Sequence, residues 1–307
     1  MWIHHRSLGR RVVTGLVGFF LAGGAQASTT VLFVGNSFFY GAGSAVKRYH
    51  TDRVHDLNGT DYGGVPALFQ AFASEAGLDF DVSLETIPGA NLDQHLDTRW
   101  ALLDRPWDVV VMSGHSTLDV EHPGDPAKLV RYAGLLATRF ACRNPAVVVH
   151  LNATWSRADQ IHGTTGPWAG QPVESMALAV RAGYEAARAA SPVIRSVIPT
   201  GEAWNRAFRR GIADPDPYDG IARGQVNLWA DDDYHASTAG YYLEALVIFG
   251  RVTGVDPRLL GPDERAADDL GLPASLVVAL EDVAAEQLVA EPAPPSSPAS
   301  LPDCAGR

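Results

Sequence analysis

Three side chains in this 307-residue chain have the types that nucleophilic acyl chemistry needs. Ser37 ends the run Val31-Leu32-Phe33-Val34-Gly35-Asn36-Ser37, and Asp232 and His235 stand three residues apart in Asp231-Asp232-Asp233-Tyr234-His235. A serine hydroxyl becomes a useful nucleophile only with a base, a group that orients the base, and donors for an oxyanion. An aspartate three residues before a histidine in a loop can fold back onto the ring. It then accepts from Nδ1–H, fixes the tautomer and leaves the other nitrogen free to take a proton. Each piece also has an ordinary reading. Ser37 suits a turn or a helix cap, and Asp-x-x-His suits a surface turn or, since both types are ligands, a weak metal site. The residues alone leave these alternatives open.

The elements that would position these groups follow from hydrophobic patterning. Residues 31–34 are apolar and read as a short buried strand, broken by Gly35. Further strands are expected at 80–87, 107–112, 146–151 and 193–198. Helices are expected at 65–76, 92–103, 125–140, 172–190, 241–252 and 274–288. Strands alternating with helices imply an α/β fold: a mostly parallel sheet of about five strands with helices on both faces. In such a sheet the strand carboxyl ends share one edge. Ser37, Gly89, the Ser113–Ser116 stretch with His115, Asn152 and the His235 loop would therefore converge.

Between these elements lie segments with two readings. Residues 41–64 are polar, with Lys47, Arg48, His50, Asp52, Arg53, His55 and Asp56, and read as a loop over the site or a solvated surface loop. Residues 156–171 read as an irregular insertion beside Trp155 and Trp168, which suit either sugar stacking or packing. Glu202 reads as a helix-start carboxylate. Gly89, directly after a strand, allows a tight turn whose N–H could face an oxyanion.

The totals restrict the partners. Residues 1–27 combine Arg6, Arg10 and Arg11 with an apolar run and Ala25-Gln26-Ala27, as expected of a secretory signal, an uncleaved anchor being the alternative. The net charge of −11 becomes −14 once those three arginines are removed with the signal. That argues against nucleic acid or an anionic membrane surface as the main partner. No later segment is apolar enough to cross a bilayer. Cys142 and Cys304 could pair in an exported chain or stay free, and no metal-type cysteine spacing exists. Residues 28–290 are expected to form one domain, followed by a disordered Pro/Ala/Ser-rich tail over 291–307.

Gly35-Asn36-Ser37 at the first strand and Asp232-x-x-His235 near the end together resemble the SGNH (GDSL-like) hydrolase superfamily, over roughly residues 31–254. The resemblance implies a flavodoxin-like three-layer α/β/α sandwich and an esterase or lipase activity without metal or organic cofactor. It implies Ser37 as nucleophile, His235 as base, Asp232 as orienting acid, and the Ser37 and Gly89 N–H groups as oxyanion donors. The third block departs from the family: Gly114-His115-Ser116 carries Ser116 where Gly-x-Asn is the pattern. Either Ser116, His115 or Asn152 stands in for the missing donor, or activity is low, or the alignment is shifted. The nucleophile elbow of α/β-hydrolases fits less well, because position 39 is Phe39 rather than Gly. The expectation is a secreted serine esterase on small-molecule or glycan esters, with His115, Asn152 and Trp155 contacting substrate. Its alternatives are an inactive carbohydrate-binding protein on the same fold, a lipase or an acyltransferase.

Overall fold

In the computed structural model, the described residues are Met1, 28–294 and Cys304; the expected signal segment lies outside them. The chain begins with β1 (Thr29–Gly35), passes two 3-10 turns and enters β2 (His55–Asp56). It continues through α1 (Gly64–Glu75), β3 (Phe80–Thr86), α2 (Leu92–Thr98), α3 (Trp100–Leu103) and β4 (Val109–Met112). Next come α4 (Ala127–Arg143), β5 (Val148–Asn152), α5 (Ala158–Ile161), α6 (Glu174–Ala190), β6 (Ile194–Ile198) and α7 (Thr200–Arg209). Three helices close the chain: α8 (Thr238–Thr253), α9 (Arg265–Asp269) and α10 (Ala274–Ala290).

Among the described residues every strand pairing of the sheet is parallel, in the order β2-β3-β1-β4-β5-β6. Without β2 this is the doubly wound order in which ligands sit outside the strand carboxyl ends. The alternation along β1 shows why helices cover both faces. Val31 and Phe33 enter a core with α1, α7, α8 and α10, whereas Leu32 and Val34 enter a second core with α2, α4 and α6. A strand buried on both faces has no polar side to present, which accounts for its continuous apolar run.

Three expectations change. The sheet has six strands, because two residues of the presumed loop, His55 and Asp56, pair with Ser83 and Leu84. The expected helix over 92–103 is two helices separated at Arg99. The expected disordered tail is packed at its start: the Glu291 carboxylate lies 2.6 Å from Arg181, and its carbonyl accepts from Arg251. A disulfide joins Cys142, at the end of α4, to Cys304.

Candidate active site

The strand carboxyl ends are tied into one edge by Asn36. Its amide donates to Ala90 O beyond β3 (3.1 Å) and to Gly114 O beyond β4 (3.0 Å), while its Oδ1 accepts from Phe38 N. Ser37 follows in a tight turn, with Phe39 N and Tyr40 N both donating to Asn36 O. It is almost buried, at 5% exposure. Among the described residues no hydrogen bond takes the N–H of Ser37 or of Gly89. Gly89 sits at φ +68° with open space around it, a conformation that side chains rarely adopt. Two free backbone donors thus lie at neighbouring strand ends, as an oxyanion requires.

The Asp232–His235 loop is built locally. Asp232 Oδ1 accepts from the N–H of Tyr234 (3.1 Å) and of His235 (2.8 Å), and Oδ2 lies 2.6 Å from His235 Nδ1. Burial pushes the Asp232 carboxyl up, but the ring and the two backbone donors outweigh it and leave the group below the ordinary carboxylate range. An ionised carboxylate accepts Nδ1–H, so the proton-accepting position is Nε2. That nitrogen is shielded from solvent and, among the described residues, has no hydrogen-bond partner.

The loop is held against the Ser37 turn. Ala230 N donates to His235 O, and Ser237 N donates to Leu228 O. Ser237 then caps α8 through Gly240 N. Gly240 permits the approach, since a Cβ there would stand 2.3 Å from Leu228 O. From α8 the Tyr241 hydroxyl donates to Ala42 O (3.0 Å) and reaches Ser37 O (3.4 Å). The Phe38 ring meets the His235 ring edge-on at 5.7 Å between centroids. The turn after the opening strand and the His235 loop are therefore packed against each other. Ser37 and His235 Nε2 are not hydrogen-bonded to each other; such contacts commonly tighten only in the substrate complex.

The other candidate residues fall into two groups. His115 lines a cleft with Gly89, Asn91, Asp93, Gln94, Val120, Glu121 and Lys128. Burial, then the nearby Arg157 charge, pulls its imidazole down to about 4, so it is neutral near neutral pH. Ser116 is buried and accepts from Arg157 Nη1 at 3.3 Å. Asn152 and Trp155, by contrast, do not contact a cleft. Asn152 is fully buried, its amide donating to Glu244 (2.7 Å) and accepting from Thr200 (2.6 Å). Trp155 is fully buried between Phe38 and Trp204, with stacked centroids at 4.3 and 4.5 Å. Both lie at the expected strand end, but deeper than the surface the substrate can reach. Trp168 is buried as well.

Asp119, Glu121 and His122 bring ligand-type atoms within 4.8 Å of one another. Asp119 is already engaged by the His122 and Glu121 N–H groups and by Lys128, which hold its carboxyl down at about 2.

Arg157 was not among the residues singled out from the sequence. It pairs bidentately with Asp159 (2.9 and 2.6 Å), reaches Ser116, and lies 3.6 Å from the centroid of Tyr234, whose ring packs on His235 at 4.1 Å. Its only sequence signal is its position in the irregular segment after β5.

No family profile and no curated protein matches the chain. Solved structures do. A DUF4886 family protein from Bacteroides uniformis ATCC 8492 superposes with a TM-score of 0.58 at 16% identity, over 88% of this chain and 98% of that one. TesA aligns at 0.48 and 18% identity, over 74% and 99%. A family 3 carbohydrate esterase from Clostridium thermocellum aligns at 0.46 and 15% identity, over 73% and 94%. The first of these shows a shared fold, and the α/β/α sandwich that the sequence resemblance implied is the architecture present.

Proposed function

We propose that this chain is a serine ester hydrolase acting on short acyl esters of polar alcohols such as carbohydrates. The observation that carries the reading is the Asp232–His235 pair, with its shielded and unpartnered Nε2, on a loop packed against the Ser37 turn. In the first step the Ser37 Oγ–carbon bond forms and the hydroxyl proton moves to His235 Nε2. The carbonyl π pair moves to oxygen, opposite the Ser37 and Gly89 N–H groups. Collapse breaks the bond to the alcohol, which takes the proton back from Nε2. Water, activated by the same nitrogen, then releases the acid and regenerates the hydroxyl. Asp232 stays ionised throughout and steadies the imidazolium.

The cleft beside Gly89 supports a polar alcohol. Asp93, Gln94, Glu121 and Lys128 offer both hydrogen-bond signs. Export is part of the proposal. The signal-like residues 1–27 support it, as does the Cys142–Cys304 disulfide, since such bonds persist in oxidising compartments. Among the described residues no helix is long and apolar enough to cross a membrane.

Hydrolysis of p-nitrophenyl acetate, butyrate and octanoate, and acetate release from acetylated oligosaccharides, test the reading. Wild-type protein is expected to favour acetyl esters, and Ser37→Ala to remove turnover. Equal rates for wild type and Ser37→Ala would overturn it.

A further inference from the structure

Glu85 and His95 are both fully buried, and neither belongs to the Ser37–His235 site. Val82 and Leu84 of β3 enter the core on the α1 side of the sheet. Alternation along the strand therefore turns Glu85 to the opposite face, where α2 packs through Leu92 and Leu96. There Glu85 Oε2 and His95 Nδ1 are hydrogen-bonded to each other. Glu85 Oε1 accepts from Asn58 Nδ2 (3.3 Å), and Asn58 Oδ1 accepts in turn from Thr86 N (2.8 Å). Arg99 Nε stands 3.9 Å from Oε1 at the outer rim. His95 Nε2 is buried and, among the described residues, has no partner.

A buried carboxyl against a buried imidazole with an idle nitrogen is a poor source of stability. The idle atom carries its full desolvation cost, and apolar side chains of similar volume commonly do as well or better. What distinguishes the pair is its position, because it joins the end of β3 to α2 across the turn that carries Gly89. That turn, Ile87-Pro88-Gly89-Ala90, closes through Ala90 N to Ile87 O (3.1 Å). With proline second and Gly89 third at φ +68°, it is a type II turn. The Gly89 N–H belongs to its central peptide and takes no part in the closing bond. Ile87 N donates to Gly35 O, and the Asn36 amide holds Ala90 O, so the turn abuts the residues just before Ser37. Gly89, Asn91, Asp93 and Gln94, which form one wall of the cleft, all lie within the span that the pair closes.

We propose that the buried Glu85–His95 contact is a clasp that positions the Gly89 N–H and the α2 wall of the cleft for ester hydrolysis, with both side chains as positioning residues. This rests on the ester-hydrolase reading above. The type II turn sets the direction of the N–H but not its place. Pairing with β1 sets one stem of the turn, β3. The clasp sets the other stem, α2, and Asn58 ties the β2 side of the sheet to the same carboxyl. A displacement of about 1 Å at a group that faces the reacting atoms can cost about 10² in rate.

The test separates stability from turnover, using His95→Leu, the double variant Glu85→Met with His95→Leu, and His95→Asn. His95→Leu strands the Glu85 carboxyl and should lower the urea midpoint. The double variant replaces the whole pair by apolar side chains and should return the midpoint to the wild-type value or above it. Its kcat on p-nitrophenyl acetate should nevertheless stay about tenfold or more below wild type, the scale of a misplaced group. The Gly89 amide signal in a proton–nitrogen NMR spectrum should move with it. His95→Asn keeps a polar atom near the place of Nδ1 and should hold kcat within about threefold of wild type, the rescue that a purely apolar filling role would not give. Should the double variant fail to fold, His95→Leu assayed below its own unfolding range must show the same loss of kcat and the same moved signal. A restored midpoint with kcat within about threefold of wild type, or an unmoved Gly89 signal, would overturn the proposal. If instead wild type and Ser37→Ala hydrolyse the ester equally while the Gly89 signal still moves, the clasp stands and it is the underlying hydrolase reading that fails.

Discussion

Replacing Asp232 with Asn isolates the electrostatic part of the Asp–His pair, because the loop geometry can survive the change. Asn keeps the Oδ1 acceptor for the N–H groups of Tyr234 and His235. What is lost is the carboxylate oxygen 2.6 Å from Nδ1. Two unit charges about 4 Å apart interact by ~4 kcal/mol at an effective dielectric of 20 and ~1 kcal/mol in water. Asp232 is half exposed, at 48% of its side chain, so an intermediate value of about 2–3 kcal/mol applies to the imidazolium of the transition state. At 1.36 kcal/mol per tenfold, this predicts a fall of about 10²-fold in kcat/KM. That is less than the ~10⁴ seen where such an aspartate is buried. The assay is p-nitrophenyl acetate turnover at pH 7, with Asp231→Asn as an exposed control for net charge and circular dichroism to verify folding. A folded Asp232→Asn variant within threefold of wild type would refute the role given to the pair.

Other expectations concern stability and pH. Trp155→Ala should lower unfolding free energy by about 3–5 kcal/mol through loss of a fully buried aromatic, read as a urea-midpoint shift. An unchanged midpoint with a raised KM would instead make Trp155 a substrate contact. Burial holds the Glu244 carboxyl well above its ordinary range, so the folded state binds more protons than the unfolded state above pH 4.5. This contribution is present below that pH and is lost as pH rises through the folded value. Glu244→Gln should therefore gain melting temperature relative to wild type between pH 5 and 8, and a pH-independent difference would contradict this. Removing the Cys142–Cys304 bridge with Cys142→Ser opens a link spanning 162 residues, for which chain entropy sets a contribution of up to about 5 kcal/mol. The urea midpoint should drop, and an unchanged midpoint would show the bridge to be without effect on stability.

The sheet was legible because its strands are buried on both faces: Val109-Val110-Val111 and Val31 to Val34 have no other plausible environment. The Asp232–His235 pairing was legible because it is local, with the loop folding on itself over three residues. Depth was not legible. Asn152 and Trp155 occupy the expected strand end, yet only packing against Glu244, Phe38 and Trp204 shows that they lie beneath it. Strand β2 escaped because two residues carry no periodicity. Helix α7 was legible only at its start, in Glu202 as a helix-start carboxylate, and its extent to Arg209 was not. Arg157 escaped for a different reason: its partners Ser116 and Tyr234 are distant in sequence, and nothing in the spacing links them. The disulfide likewise depends on a meeting of α4 with the chain's end that no local pattern encodes.

The central claim is that Ser37 is a nucleophile activated by His235, and a fluorophosphonate reads this directly. Attack by the serine oxygen forms a Ser–phosphorus bond and releases fluoride. Intact-mass and peptide analysis should show one adduct on wild-type protein, located at Ser37 in the peptide ending at Lys47, and none on Ser37→Ala or His235→Ala. A wild-type protein that stays unlabelled, or a Ser37→Ala variant labelled as fast as wild type, would contradict the account.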